Sequence, residues 1–231
     1  MGAQPKQGPH QLEGRAIEEG SKCSYMRYRC AASSVDGFVK QVAVQYLRHG
    51  YWFYKTGWIP EGKDPERVEE KLMAMYGIDV PPWRRCRMLR SGGAAVHLVR
   101  HGRFFVLMAT KGHQQFMKRE GRVLDMRRTA LVYQGYDISY RRSFVTGRGH
   151  PSVRIHRSTF LELRSSLVRR AQVLSEEEAA WLMRRVPFYP YAPVRRQLMQ
   201  LLRAVNAARK SCGNNPVRVE CLRLQPWGVR F

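Results

Sequence analysis

Acid is what this chain has least of. Only 18 Asp and Glu stand against 41 Lys and Arg, a formal charge of +23 over 231 residues. The shortage is local. Residues 1–83 hold 11 basic and 10 acidic side chains, residues 84–150 hold 15 and 3, and residues 151–231 hold 15 and 5. Asp125, Asp137 and Glu120 are the only carboxylates between 84 and 150, whereas two-metal nucleases need several that converge. Lysine is scarce as well, with 9 against 32 Arg. That bias favours guanidinium forks, which pair with phosphate through two parallel bonds and stack on flat rings.

Other absences narrow the class further. The five cysteines, Cys23, Cys30, Cys86, Cys212 and Cys221, are scattered and never spaced CxxC. A disulfide framework and a treble-cysteine zinc site are therefore not expected, and reduced thiols fit a cytoplasmic protein. Cys23 and Cys30 lack ligand spacing, so neither a metal nor a cofactor is expected. No run approaches the roughly 18 apolar residues of a membrane span, so no membrane partner is expected. Residues 1–29 have no apolar segment of a secretory signal and read as a flexible leader. No GxxxxGK[ST] follows a strand, which leaves nucleotide hydrolysis without its phosphate loop.

What is present reads as α+β. SSVDGFVKQVAVQYLRHG has a Ser34 cap, helical spacing and a Gly50 stop. YWFYKTGWI (51–59) reads as a buried strand. Asp64-Pro65 then starts a helix that Gly77 ends. From Trp83 the reading is short strands: WRRCRMLR, AAVHLVR, FFVLMAT, TALVYQ, YDISYRR and SVRIHRS, with one short helix at HQQFMKREG. Three helices close the chain, and Ser175 with Glu178 forms a capping box at the second. The expectation is a ferredoxin-like antiparallel sheet with helices on one face over 30–157, as a nucleic-acid-binding domain, then a basic three-helix region over 158–231.

GYWFYKTGWIPEGKDPERVEEKL and PFYPYAPVRRQLMQLLRAVNAARK resemble segments of a family of small basic proteins associated with mobile genetic elements. The resemblance covers most of residues 48–210. It implies nucleic-acid transactions and carries no catalytic residues.

The basic residues share their stretch with aromatic ones. Trp83, Arg84, Arg85, Arg87, Arg90, Arg100, Arg103, Arg127, Arg128, Tyr133, Tyr136, Tyr140, Arg141 and Arg142 form the first candidate set. On a strand, Arg85 and Arg87 would share a face, as would Tyr136, Ile138 and Tyr140. Such a face offers phosphate anchors and stacking platforms for unpaired bases. A second set, Arg195, Arg196 and Arg203, lies on the last helix beside Arg164, Arg169, Arg170, Arg184, Arg185, Arg209 and Lys210. Arg196 and Arg203 are seven apart and share a face. The three helices are also candidates for a helix-turn-helix-like unit.

Enzyme readings fit less well. HUH-class nucleases place two His one residue apart on a strand, with a Tyr nucleophile nearby. His97 and His101 are four positions apart, about 13 Å at ~3.3 Å per residue. Metal-free RNA cleavage has candidates in His49, His97, His101, His113, His150 and His156, with His101 and His113 preferred beside basic turns. The leading expectation is a non-enzymatic nucleic-acid-binding protein, RNA or single-stranded DNA preferred, within a ribonucleoprotein or mobile-element machine. The alternatives are a small endonuclease or strand-transfer enzyme and an assembly protein docking on an acidic partner.

Overall fold

The computed structural model describes residues 30–112, 115–144, 146–222 and 224. The expected leader, 1–29, and His113 lie outside them. Ser34 accepts a hydrogen bond from the Gly37 amide at 3.0 Å and starts α1 (Val35–Lys40), which runs on as a π-helical turn, Gln41–Tyr46. Gly50, at φ +91°, ends it and turns the chain into β2 (Phe53–Trp58); β1 is the short Ala31–Ala32. Asp64 caps α2 (Pro65–Tyr76) through the Glu66 amide, and Pro65 takes the first turn, where its missing N–H costs no bond.

WRRCRMLR is a helix, α3 (Pro82–Arg90), and not the expected strand. Pro82 fits a first helical turn, and Met88 reaches the core beside Gly93. β3 (Val96–His101) and β4 (Phe104–Ala109) follow as a hairpin, then α4 (Gln115–Arg119), β5 (Leu124–Asp125), β6 (Leu131–Tyr133), β7 (Tyr136–Arg142) and β8 (Gly149–Ile155). The chain closes with α5 (Arg157–Ala171), α6 (Glu176–Arg184) and α7 (Ala192–Ser211), the three helices expected. The Ser175–Glu178 capping box at α6 is present with both of its hydrogen bonds.

The α+β class holds. The single antiparallel sheet with helices on one face does not. One sheet has the order β1-β3-β4-β2-β5 with β1 parallel to β3, and a second has the order β6-β7-β8. Helices cover both faces of the first. Leu72, Met73 and Tyr76 of α2 pack beneath Val96, Leu98, Leu107 and Ala109. Phe38, Val39 and Val42 pack above Ala95, Val99, Val106 and Met108. The cause lies in the strands: β3 and β4 are apolar on both sides, so each face needs a cover.

The upper core continues into the second sheet and the last helices. α7 buries Val194, Leu198, Leu201, Leu202 and Val205. Its Gln197 brackets the edge strand β8, accepting from the Ile155 amide at 2.8 Å and donating to the Ile155 carbonyl at 2.9 Å. The two sheets also meet through the backbone. The Met126 amide donates to the Trp52 carbonyl at 2.8 Å, and the Tyr140 amide donates to the Met126 carbonyl at 2.9 Å. That seam positions the site.

Candidate functional site

A cavity of about 600 Å³ opens at the seam, lined by Trp52, Arg127, Tyr140, Arg141, Arg142, Phe144, Gly147 and Gly149. Three segments build it. The residue just before β2 is Trp52, the turn after β5 brings Arg127, and the far end of the β7–β8 hairpin brings the rest. Asp125 makes the turn. Its side chain accepts from the Arg127 amide at 2.9 Å, and its carbonyl accepts from the amides of Arg128 and Thr129. Tyr54 ties the same turn down by donating to the Ala130 carbonyl at 3.1 Å.

Register carries the hairpin outward, from Tyr136 opposite Ile155 to Arg142 opposite Gly149. Beyond it, the Ser143 amide donates to the Arg148 carbonyl and the Gly147 amide to the Ser143 carbonyl, both at 2.9 Å. Gly147 sits at φ +65°, where a side chain is strained. A Cβ on Gly149 would lie 2.4 Å from the Tyr140 ring, so glycine is what lets that ring lie against the strand. Phe144, beside this turn, is fully exposed. Tyr140 leans on Trp52, ring centroids 5.6 Å apart.

The charges divide. Arg128, Arg141, Arg142 and Arg148 have no ion pair among the described residues, and all four are exposed. Arg127 is paired: its Nε and Nη2 donate to Asp125, the shortest contact being 2.7 Å, and its guanidinium carbon lies 4.4 Å over the Trp52 ring. Burial works against the Asp125 anion. The hydrogen bonds and charge of Arg127 outweigh it and hold the carboxyl below its ordinary range. A second cavity, near Trp181 and lined by Glu177, Glu178 and Arg170, has carboxylates in its wall and suits an anion less.

The expected set is therefore split rather than gathered. Arg127, Tyr140, Arg141 and Arg142 meet at the cavity, and Arg128 adjoins it. Trp83, Arg84, Arg87 and Arg90 are exposed on α3, while Arg85 turns back toward the carbonyls of Ile78 and Val80. Arg85 and Arg87 thus part company, because two positions on a helix are about 200° apart. Arg196 and Arg203 do share the outer face of α7, with Arg195 half-buried beside them.

Four residues are taken up internally. Arg100 pairs with Glu69 at 2.8 Å, both side chains only 13% exposed. Arg103 donates to the carbonyls of Pro60 and Lys63, holding the loop before α2. Tyr133 is buried, its ring stacked on Phe104 at 4.4 Å. Tyr136 is buried too, donating to Asp36 at 2.6 Å and accepting from the Tyr189 amide at 2.8 Å. Burial, with the Asp36 bond, pushes its hydroxyl pKa up. The shared face of Tyr136, Ile138 and Tyr140 is real, but its inner end is the core. Neither Tyr133 nor Tyr136 offers a platform to a base.

Two of the candidate histidines, His97 and His101, are structural in the same sense, while His49 and His150 are exposed. His97 lies between Tyr46 and Tyr51, ring centroids 4.6 and 4.9 Å away, and burial with the Arg85 charge holds its pKa down to about 3. His101 Nδ1 is 2.7 Å from the Tyr133 hydroxyl. Among the described residues no group of three or more His, Cys, Asp and Glu could hold a metal ion. None of the described helices is long and apolar enough to cross a membrane.

Trp52, Phe144, Gly147, Gly149 and Arg148 were not in the expected set. Trp52 read as core, and only the glycines around Arg148 marked an exposed tip. No protein-family model, curated protein or solved structure matches this chain.

Proposed function

We propose that this protein binds nucleic acid, RNA or single-stranded DNA in preference to duplex, and does so without cleaving it. One observation carries the reading. Arg128, Arg141, Arg142 and Arg148 make no ion pair among the described residues and stand around an aromatic-walled cavity whose lining includes no carboxylate. Guanidinium groups left without carboxylates attract phosphate, and aromatic walls beside them suit bases that are free to unstack. Exposed Arg on α3 and on the outer face of α7 adds long-range attraction. The bound complex is read as part of a ribonucleoprotein or mobile-element machine in the cytoplasm, in keeping with the resemblance of residues 48–210.

The test is a salt titration of a labelled single-stranded oligonucleotide, read by fluorescence anisotropy. Affinity falls steeply with salt, and the log–log slope drops by about 0.7 for each of Arg141→Ala and Arg142→Ala. A slope near zero in the unaltered protein rejects the proposal.

A further inference from the structure

Arg127 differs from its neighbours at the cavity. Its charge is offset by Asp125, which takes Nε and Nη2 at distances between 2.7 and 3.1 Å. One side of its guanidinium rests on Trp52 and approaches Phe53 at 5.5 Å. The side chain is nonetheless 40% exposed and lines the cavity. It is thus a flat, pinned cation, backed by an aromatic ring and open to the cavity. A phosphate has little to gain from it, since the carboxylate already occupies the fork. A nucleobase does have something to gain, because bases stack on guanidinium planes as well as on aromatic rings.

We propose that Arg127 is the floor of a base-stacking slot, with Asp125 as its positioning residue and Phe144 stacking the adjacent base. This rests on the nucleic-acid reading and specifies its ligand: a segment with at least two unpaired nucleotides. Paired, stacked bases keep their faces inside the duplex, so they cannot lie on the Arg127 plane. Arg141 and Arg142 then hold the phosphates flanking the slotted base. Phe144 belongs to the device for a physical reason: a fully exposed phenyl ring at a hairpin tip is held in water with no ring partner among the described residues.

The test compares a short single-stranded oligodeoxynucleotide with one of the same length that is abasic throughout, at fixed salt, on the full chain. Both carry the same phosphates, so the ratio of affinities isolates the bases. The unaltered protein prefers the base-bearing strand by about tenfold or more, the scale of one base–aromatic stack. Arg127→Lys keeps the charge and removes the plane, and the ratio falls toward one. Phe144→Ala lowers the ratio as well, and it alters no packed residue, so misfolding does not confuse the result. Equal affinity for both strands in the unaltered protein, or a ratio unchanged in both variants, overturns the slot while leaving phosphate binding intact. If neither strand binds, the nucleic-acid reading falls with it.

Discussion

Arg142 and Arg209 take one functional group into opposite surroundings. Arg142 stands at the end of a hairpin, exposed and without a carboxylate. Arg209 is 2% exposed. It donates to the carbonyls of Ala171 at 3.0 Å, Leu174 at 2.7 Å and Asn215 at 2.6 Å, with Ser175 more distant. Ala171 is the last residue of α5, so Arg209 serves the negative end of that helix dipole and satisfies carbonyls that the helix leaves open. The contrast bears on how a charge of +23 is read. Total charge counts Arg209, Arg103 and Arg100 as if they were available to a partner. Each is instead a connector, holding loops and helix ends in place.

Breaking the connectors separates the two roles most sharply. Arg209→Met keeps most of the packing and leaves several buried carbonyls without donors. Chemical denaturation should show a loss of about 3–5 kcal/mol, since buried unsatisfied groups cost about 1–3 kcal/mol each. A loss under about 1 kcal/mol would mean that water reaches those carbonyls and that Arg209 is not a connector.

His97 makes the next largest contrast, a basic group that the core holds neutral. Its folded pKa is about 3 against an ordinary 6.5. Between those values the unfolded chain binds the proton and the folded chain does not. Stability therefore falls as pH falls from about 6.5 toward about 3, by on the order of 4 kcal/mol at the acid end. His97→Phe, which keeps a ring between Tyr46 and Tyr51, should flatten that part of the stability–pH curve. An unchanged curve would place the acid sensitivity elsewhere.

The smallest expected effect is on the stability of the hairpin variant. Arg141→Ala with Arg142→Ala should shift stability by no more than about 0.5 kcal/mol, since both are exposed and the one side-chain bond lost, Arg141 Nε to the Ser139 hydroxyl, is long at 3.3 Å. A larger loss in thermal melting would move these residues into the connector class and weaken the binding proposal.

Much of the architecture was legible in local patterns. Ser34, Asp64 and the Ser175–Glu178 box mark helix starts because each satisfies amides within three positions along the chain. The parity of β7 was legible too, since alternation is a property of one strand. Which face turned inward was not: Tyr136 is buried by Phe188 and by the Asp36 bond, 100 positions away. α3 misread as a strand because eight residues rich in Arg carry little periodic signal, and contact with the core through Met88 decided the matter. Trp52 was hidden for a related reason. An aromatic residue in an apolar strand reads as core, and only its place at the seam between two sheets leaves it lining a cavity.

The order of residues alone determined where positive charge accumulates, where the side-chain-capped helices begin and which side chains alternate. Those depend on composition and on neighbours a few positions away. Folding decided which guanidinium groups stay available, because the acceptors that engage the others are remote in the chain: Glu69 is 31 positions from Arg100, and Ala171 is 38 from Arg209. A charge can be counted from the chain, but whether it is free depends on what the fold brings beside it.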